Sequence, residues 1–331
     1  MTTTDLWVLV EQWRGTPVDA SLAVVSEARR LADACGGTVT AVVLGDAPDT
    51  SAVAERAGAA GAQIVRAVSG AGYAEHSTEA WTGALHALVT AHSPAAVLLA
   101  ATTLGSDVAP RLAARLGTGL VTDCSAVEVA ADGTPTLTKN ELGGTRLARC
   151  QVPGGLPVVT VRPGALPPAT TDAGAPEVVA EDIPAAPSRT TVLERVVAEA
   201  GGEVALEDAR IVVSGGRAMG GPEGFDVLRE LASALGPTAA VGSSRPAADA
   251  GWVPVHLEIG ISGKKVSPDL YLACGISGAS QHLAGMSSSK TVVAVNKDPG
   301  APIFAVADFG VVGDLFELVP AITAAVRARQ G

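Results

Sequence analysis

The chain has 331 residues, 47% of them hydrophobic and only 3% aromatic, and its 34 acidic against 23 basic residues leave a formal net charge of −11. That balance excludes sequence-independent binding to nucleic acid or to anionic membrane, both of which need basic surface, and the shortage of aromatics excludes a stacking platform for single strands. Ala, Val and Leu with 38 Gly suit buried parallel strands under tightly packed helices, and the length accommodates two domains.

Short Val-rich runs alternate with longer helix-period runs from the start. Leu6 to Val10 reads as a buried strand, Ser21 to Ala34 as a helix with Leu22, Val25, Ala28 and Leu31 on one face, and Thr38 to Leu44 as a second strand. Helices over Thr50–Ala57, Glu75–Ala91 and Gly105–Arg115 then alternate with strands over Gln63–Val68 and Ala95–Ala101. This rhythm is that of βαβ units, which build a mostly parallel sheet with helices on both faces. His76, His86 and His92 lie on or beside one of these helices and read as structural.

From Val121 to Val161 the runs shorten and are broken at Asp132-Gly133 and Gly143-Gly144, which predicts antiparallel strands added at the edge or end of the first sheet. Residues 162–187, rich in Pro and Ala, read as an extended connector with one strand near Glu177–Ala180. Thr191 to Ala200 reads as a short helix, and a boundary near Glu203 divides the chain into domains 1–203 and 204–331. The second half repeats the alternation, with strands over Arg210–Ser214, Ala239–Gly242, Asp269–Cys274 and Thr291–Val295 and helices over Glu223–Leu235, Ala279–Met286 and Asp314–Arg327. The expected fold is α/β, with two doubly wound domains.

Cys35, Cys124, Cys150 and Cys274 form no C-x-x-C pair and none is at metal-ligand spacing with a histidine, so a reduced, cytoplasmic setting without a metal is expected. The N-terminus has no cationic region before its short apolar run, and no apolar stretch reaches the roughly 18 residues of a membrane span. Neither a signal peptide nor membrane insertion is expected.

The strict nucleotide signatures are missing. Gly263-Lys264 is followed by Lys265, not Ser or Thr, and Glu258 stands where a P-loop needs its first glycine. No G-x-G-x-x-G and no nucleophile elbow G-x-S-x-G accompanies the repeated tetrapeptide at Gly260–Gly263 and Gly275–Gly278. What the second half offers is five small, polar, glycine-flanked loops, nearly all at predicted carboxyl ends of strands. They are Ser214–Arg217, Gly242–Arg245, Gly260–Lys264, Gly275–His282 and Asn296–Asp298. One such loop is ordinary turn chemistry, but five converging where open α/β sheets bind ligands point to a pyrophosphate site. The loop from Ser277 leads into a helix and is the best phosphate cradle. Of the cations Arg217, Arg245, Lys264, Lys265 and Lys297, surface pairing accounts for Lys265, whereas Arg245 between Ser244 and Pro246 suits a guanidinium stacked on a ring.

The stretch Leu270 to Phe304, LYLACGISGASQHLAGMSSSKTVVAVNKDPGAPIF, resembles the signature of the electron transfer flavoprotein α-subunit family. VVSGGR at Val212–Arg217, VGSSRPAAD at Val241–Asp249, GISGK at Gly260–Lys264 and ADFGVVGDLF at Ala307–Phe316 follow in the family's order, with VVTVRPG at Val158–Gly164 a looser match. The resemblance implies that the C-terminal domain holds FAD. It implies that the N-terminal domain pairs with a β-subunit that binds AMP. The heterodimer would carry electrons from flavin dehydrogenases of the acyl-CoA dehydrogenase type to a membrane quinone reductase, as in fatty acid β-oxidation, with no bond chemistry of its own.

Carried over residue by residue, Arg217, Ser244, Ser277, Gly278, Gln281, His282, Asn296, Asp314 and Leu315 would line FAD. Ser277 to Gln281, with Ala279 and Ser280, would lie near phosphate and ribitol, and Asn296 and Asp314 toward the adenosine. Arg245 would stack on the isoalloxazine, His282 would face the C2 carbonyl, and Ser262 would give its hydroxyl to N5 from the loop Ile259-Gly260-Ile261. Arg245 and a donor at His282 would then stabilise negative charge on the reduced ring. The chain departs from the family at Ser262, often Thr, at Ile261, often Gln, and at Ser280, usually aliphatic. Two other readings stay open on the residues alone: an NAD-dependent dehydrogenase, and a regulatory module binding ATP or AMP without redox work.

Overall fold

Strands buried on both faces carry continuous apolar runs, because neither side of the pleat meets water. In the computed structural model, which describes residues 4–129, 135–144, 146–153, 156–167, 169–170, 172–194 and 204–330, the Val-rich runs are such strands. The chain divides into two compact units, Met1–Asn140 with Leu147–Val197, and Glu141–Arg146 with Ala198–Gly331.

The first unit opens with β1 (Leu6–Val10), a small hairpin of β2 (Gln12–Trp13) and β3 (Thr16–Pro17), and α1 (Asp19–Cys35). Then come β4 (Val39–Gly45), α2 (Ala47–Ala59), β5 (Ile64–Ser69), α3 (Thr78–His92), β6 (Ala96–Ala100) and α4 (Thr103–Leu116). After α4 follow β7 (Leu120–Val129), β8 (Pro135–Glu141), β9 (Arg146–Cys150), β10 (Val158–Val161) and β11 (Glu177–Glu181). Among the described residues the large sheet has the order β11-β5-β4-β1-β6-β10-β7-β8-β9. Side-chain alternation divides its core: Val39, Ala41 and Val43 of β4 join one apolar cluster, Val42 and Leu44 the other.

The predicted strands and helices of residues 6–116 are all present, α2 beginning earlier than expected because Pro48 is tolerated in the first turn. The region after Val121 departs from expectation. β7 and β8 are antiparallel, as read, but β10 is no edge strand: it runs parallel between β6 and β7. All four of its residues are buried, so it has no solvent face and belongs inside the sheet. The connector carries its strand, β11, in parallel register with β5. Residues 191–194 have no regular structure, and the rest of the helix expected to Ala200, the boundary at Glu203 and the Asp132-Gly133 turn lie outside the described residues.

The second unit contains β12 (Ile211–Gly215), α5 (Asp226–Leu235), β13 (Ala239–Ser243), α6 (Arg245–Asp249), β14 (Leu270–Cys274), α7 (Ser280–Met286), β15 (Thr291–Asn296), β16 (Phe309–Val312) and α8 (Leu315–Gln330). Among the described residues its parallel sheet has the order β13-β12-β14-β15-β16. Tyr271 and Ala273 face one cluster and Leu272 and Cys274 the other, so both faces are covered. The short helix α6 and the edge strand β16, whose four residues are all exposed, had no periodic signal in the sequence.

Each sheet has one place where successive strands turn to opposite sides, and ligands of open α/β sheets settle there. In the first unit it lies between β1 and β6, and a side chain fills it. Glu11, 4% exposed, receives the Thr102 hydroxyl on both carboxylate oxygens at 2.7 and 2.8 Å. Thr102 in turn caps α4 by accepting the Gly105 N–H at 3.0 Å. Burial pushes the Glu11 pKa up from 4.5 to about 7, against the Thr102 bond that lowers it. The folded state keeps this proton where the unfolded chain has lost it, so this contribution to stability is full below pH 4.5 and fades as pH rises through about 7. Glu11→Gln is expected to flatten that slope, checked by urea unfolding of the full chain across the interval.

Candidate functional site

In the second unit the corresponding place lies between β12 and β14, and there the loops separate. Gly216 and Gly275 touch backbone to backbone: a Cβ on Gly216 would overlap the Gly275 carbonyl oxygen, and one on Gly275, at φ +66°, would press on Ala218. Gly216 N–H donates to Cys274 O at 3.0 Å and Gly275 N–H to Val295 O at 2.8 Å. These bonds set the loop bases side by side, and the segments beyond them wall a cleft of about 730 Å³. Ligand sites run on the order of 300–1,000 Å³.

Of the residues singled out from sequence, Arg217, Ser244, Arg245, Ile259, Gly260, Ile261, Ser262, Ser277, Ala279, Gln281, His282 and Asn296 line this cleft. Four do not. Gly278 is pressed against the backbone of Ile303, and Ser280 begins α7 with its hydroxyl on Gln281 Oε1 at 3.3 Å. Asp314 precedes α8 and accepts the Phe316 N–H at 2.8 Å. Leu315 is packed in the core.

Four of the five loops follow strand ends as read. The fifth, Gly260–Lys264, follows no strand; it is tied to the sheet by Ile259 N–H on Ser243 O at 2.9 Å and to α7 by Ile261 N–H on Gln281 O at 2.9 Å. Its tetrapeptide and that at Gly275–Gly278 are identical in sequence, yet Ile276 is 2% exposed and Ile261 67%.

The cations differ in what they face. Arg245 opens α6, with Pro246 beside it in the first turn, and pairs with Asp249 at 3.2 Å, both side chains largely in solvent. Lys264 pairs with Glu207 away from the cleft lining. Arg217 and Lys297 line the cleft with no ion-pair partner among the described residues. Asn296 accepts the Asp298 N–H and donates to Ile276 O, both at 3.0 Å, clamping two loops together.

His282 is 6% exposed; its Nε2 meets the Tyr271 hydroxyl at 2.8 Å, and its ring also hydrogen-bonds the Ile259 backbone. Burial pushes the imidazole pKa down from 6.5 to about 4, and holds the Tyr271 phenol proton well above its ordinary range. Both side chains are therefore neutral at neutral pH. Tyr271 was not read from the sequence, where only its being one of two tyrosines marked it. Glu258 was also missed; it is 5% exposed, lines the cleft and accepts the Ser262 hydroxyl at 2.7 Å. The Ser262 hydrogen is thus directed into the protein. Among the described residues no Trp, Tyr or Phe lines the cleft.

Fold and cleft together define an α/β protein with a polar, glycine-flanked cleft at the switch point of its C-terminal unit. Residues 6–187 match the electron transfer flavoprotein domain, and residues 205–287 match the electron transfer flavoprotein FAD-binding domain. The chain is 41% identical over 322 residues, 96% of each chain, to the electron transfer flavoprotein subunit alpha of Thermoanaerobacterium thermosaccharolyticum. It is 42% identical over 325 residues, 98% of each, to that of Mycobacterium leprae. It is also 37% identical to protein FixB of Clostridium saccharobutylicum, over 96% of this chain and 95% of that one. The chain belongs to the electron transfer flavoprotein α-subunit family, whose members carry electrons without bond chemistry of their own.

A neutral His282 has a consequence in solution. Since its pKa is lower folded than unfolded, the unfolded chain binds the extra proton, and this contribution to stability is present above pH 6.5 and lost as pH falls toward 4. The His282 ring resonances are expected to titrate near pH 4 in the native chain by NMR; a midpoint near 6.5 would place the ring in water.

Proposed function

We propose that the cleft binds FAD and that the chain works as the α-subunit of a heterodimer. Its β-subunit binds AMP. The pair, cytoplasmic, carries electrons from flavin dehydrogenases of the acyl-CoA dehydrogenase type toward a membrane quinone reductase in fatty acid β-oxidation. Among the described residues no helix is long and apolar enough to cross a membrane.

The observation that carries this reading is a cleft at the sheet's switch point, ringed by glycine-flanked polar loops, that Arg217 and Lys297 line without an ion-pair partner among the described residues. The residues fit a flavin dinucleotide. Arg217 and Lys297 are placed to meet a pyrophosphate inside an acidic protein, with Ser277 and Gln281 supplying hydroxyl and amide groups. Bound FAD supplies the electron-carrying chemistry.

The protein's part is to hold the ring and set its charge preference. Arg245 offers a planar guanidinium to the ring, held in place from behind by Asp249. His282, neutral, lines the cleft as a polar group, its ring held by Tyr271 and the Ile259 backbone. Both favour negative charge near the ring's pyrimidine end without placing a second positive charge in the interior. Among the described residues no Trp, Tyr or Phe lines the cleft, so the ring is held by Arg245, small residues and backbone.

Co-expressed with its β-subunit, the chain is expected to purify yellow, and FAD is expected to raise its melting temperature more than NAD or ATP does. A folded heterodimer that stays colourless in excess FAD overturns the proposal. In the loaded heterodimer Arg245→Ala is expected to lower the midpoint potential of bound FAD by the equivalent of about 1 kcal/mol per electron, the scale for charges about 4 Å apart in water-like surroundings. Spectroelectrochemical titration checks it.

A further inference from the structure

Ser262 is paired with Glu258, a residue that the family reading leaves without a role. Glu258 stands just before the Gly260–Lys264 loop, and its backbone closes that loop: Lys264 N–H donates to Glu258 O at 2.7 Å and Gly260 N–H to Lys264 O at 3.2 Å. Gly263 makes the closure possible, since a Cβ there would run into the Glu258 backbone and side chain. The fold-back places the Glu258 carboxylate under the turn, 5% exposed, where Ser262 Oγ donates to Oε1 at 2.7 Å.

A serine hydroxyl has one hydrogen and two lone pairs, and a carboxylate only accepts. With its hydrogen on Glu258, Ser262 has only lone pairs left for the cleft. Turning that hydrogen outward would strip the buried carboxylate of a donor, and a buried acceptor left short loses its solvation without return. A charge-assisted O–H···O⁻ bond is also among the stronger hydrogen bonds, so the hydroxyl's direction is set by Glu258 and not by the ligand.

We propose that Glu258 is a positioning residue that makes Ser262 an acceptor toward the flavin, so that the site favours reduced FAD, which carries a hydrogen on N5, over oxidised FAD, whose N5 is a bare acceptor. This rests on the FAD reading above, with Ser262 opposite N5. It reverses the direction of the Ser262 hydrogen bond that the resemblance implied. On reduction N5 gains a hydrogen and meets a waiting lone pair; before reduction two lone pairs face each other. Glu258 acts through Ser262 and does not touch the ring.

The test measures dissociation constants of oxidised and of reduced FAD for the heterodimer with its β-subunit. Ser262→Ala is expected to weaken reduced FAD about fivefold, the value of one neutral hydrogen bond, and not to weaken oxidised FAD. A Ser262→Ala variant that loses oxidised FAD at least as strongly as reduced FAD overturns the proposal, because Ser262 would then be the donor. Glu258→Leu frees the hydroxyl and is expected to tighten oxidised FAD about fivefold, with the 15N5 resonance of labelled FAD moving toward that of a hydrogen-bonded nitrogen. That gain is expected to vanish in Glu258→Leu/Ser262→Ala. Its persistence in the double variant would mean that the carboxylate acts on FAD directly, and overturns the relay. Should Glu258→Leu not fold, the Ser262→Ala pattern decides alone. Wild-type heterodimer that binds FAD in neither state refutes the flavin reading itself, an outcome distinct from tight binding with the wrong Ser262 pattern.

Discussion

The backbone contact between Gly216 and Gly275 is the constraint on which the second unit's site depends. Two strands that diverge in chain order, β12 and β14, must still run side by side to pair along their whole length. Their exits therefore crowd each other, and only glycine lets both loops leave without collision. Once past that point the loops part, one carrying Arg217 and the other Ser277 and His282. Substituting either glycine would push apart the two walls at their base.

The two units answer the same geometric problem in opposite ways. Where β1 and β6 diverge, Glu11 accepts the Thr102 hydroxyl and Thr102 caps α4, so the protein's own side chains meet there. Where β12 and β14 diverge, Arg217 and Lys297 line the cleft without an ion-pair partner among the described residues. The difference separates a crevice closed by its own side chains from one left open as a cleft.

Much of the fold was legible because its parallel strands are buried on both faces and carry continuous apolar runs, as β4 does. The misplacement of β10 came from reading turn signals alone; the burial of all its residues, which decides its position mid-sheet, depends on neighbours far along the chain. β16 gave little signal because its apolar run, Phe309-Gly310-Val311-Val312, is only four residues long and broken by a glycine. Within the cleft, the glycine-flanked loops announced themselves through composition, and twelve of the residues read from sequence line it. Tyr271 and Glu258 did not, since each acts through a partner, His282 and Ser262, and nothing in a sequence states which way a hydroxyl points.

The amino-acid sequence by itself determined the alternation of strands and helices, the family, and the set of polar loops, because periodicity, turn chemistry and composition are local properties. The tertiary structure alone decided the rest. It gave the two identical tetrapeptides different surroundings, burying Ile276 and exposing Ile261. It brought Glu258 beneath Ser262, and it made His282 neutral by enclosing it beside Tyr271. Burial, close approach and hydrogen-bond direction arise only when distant segments meet, and these set the chemistry of the cleft.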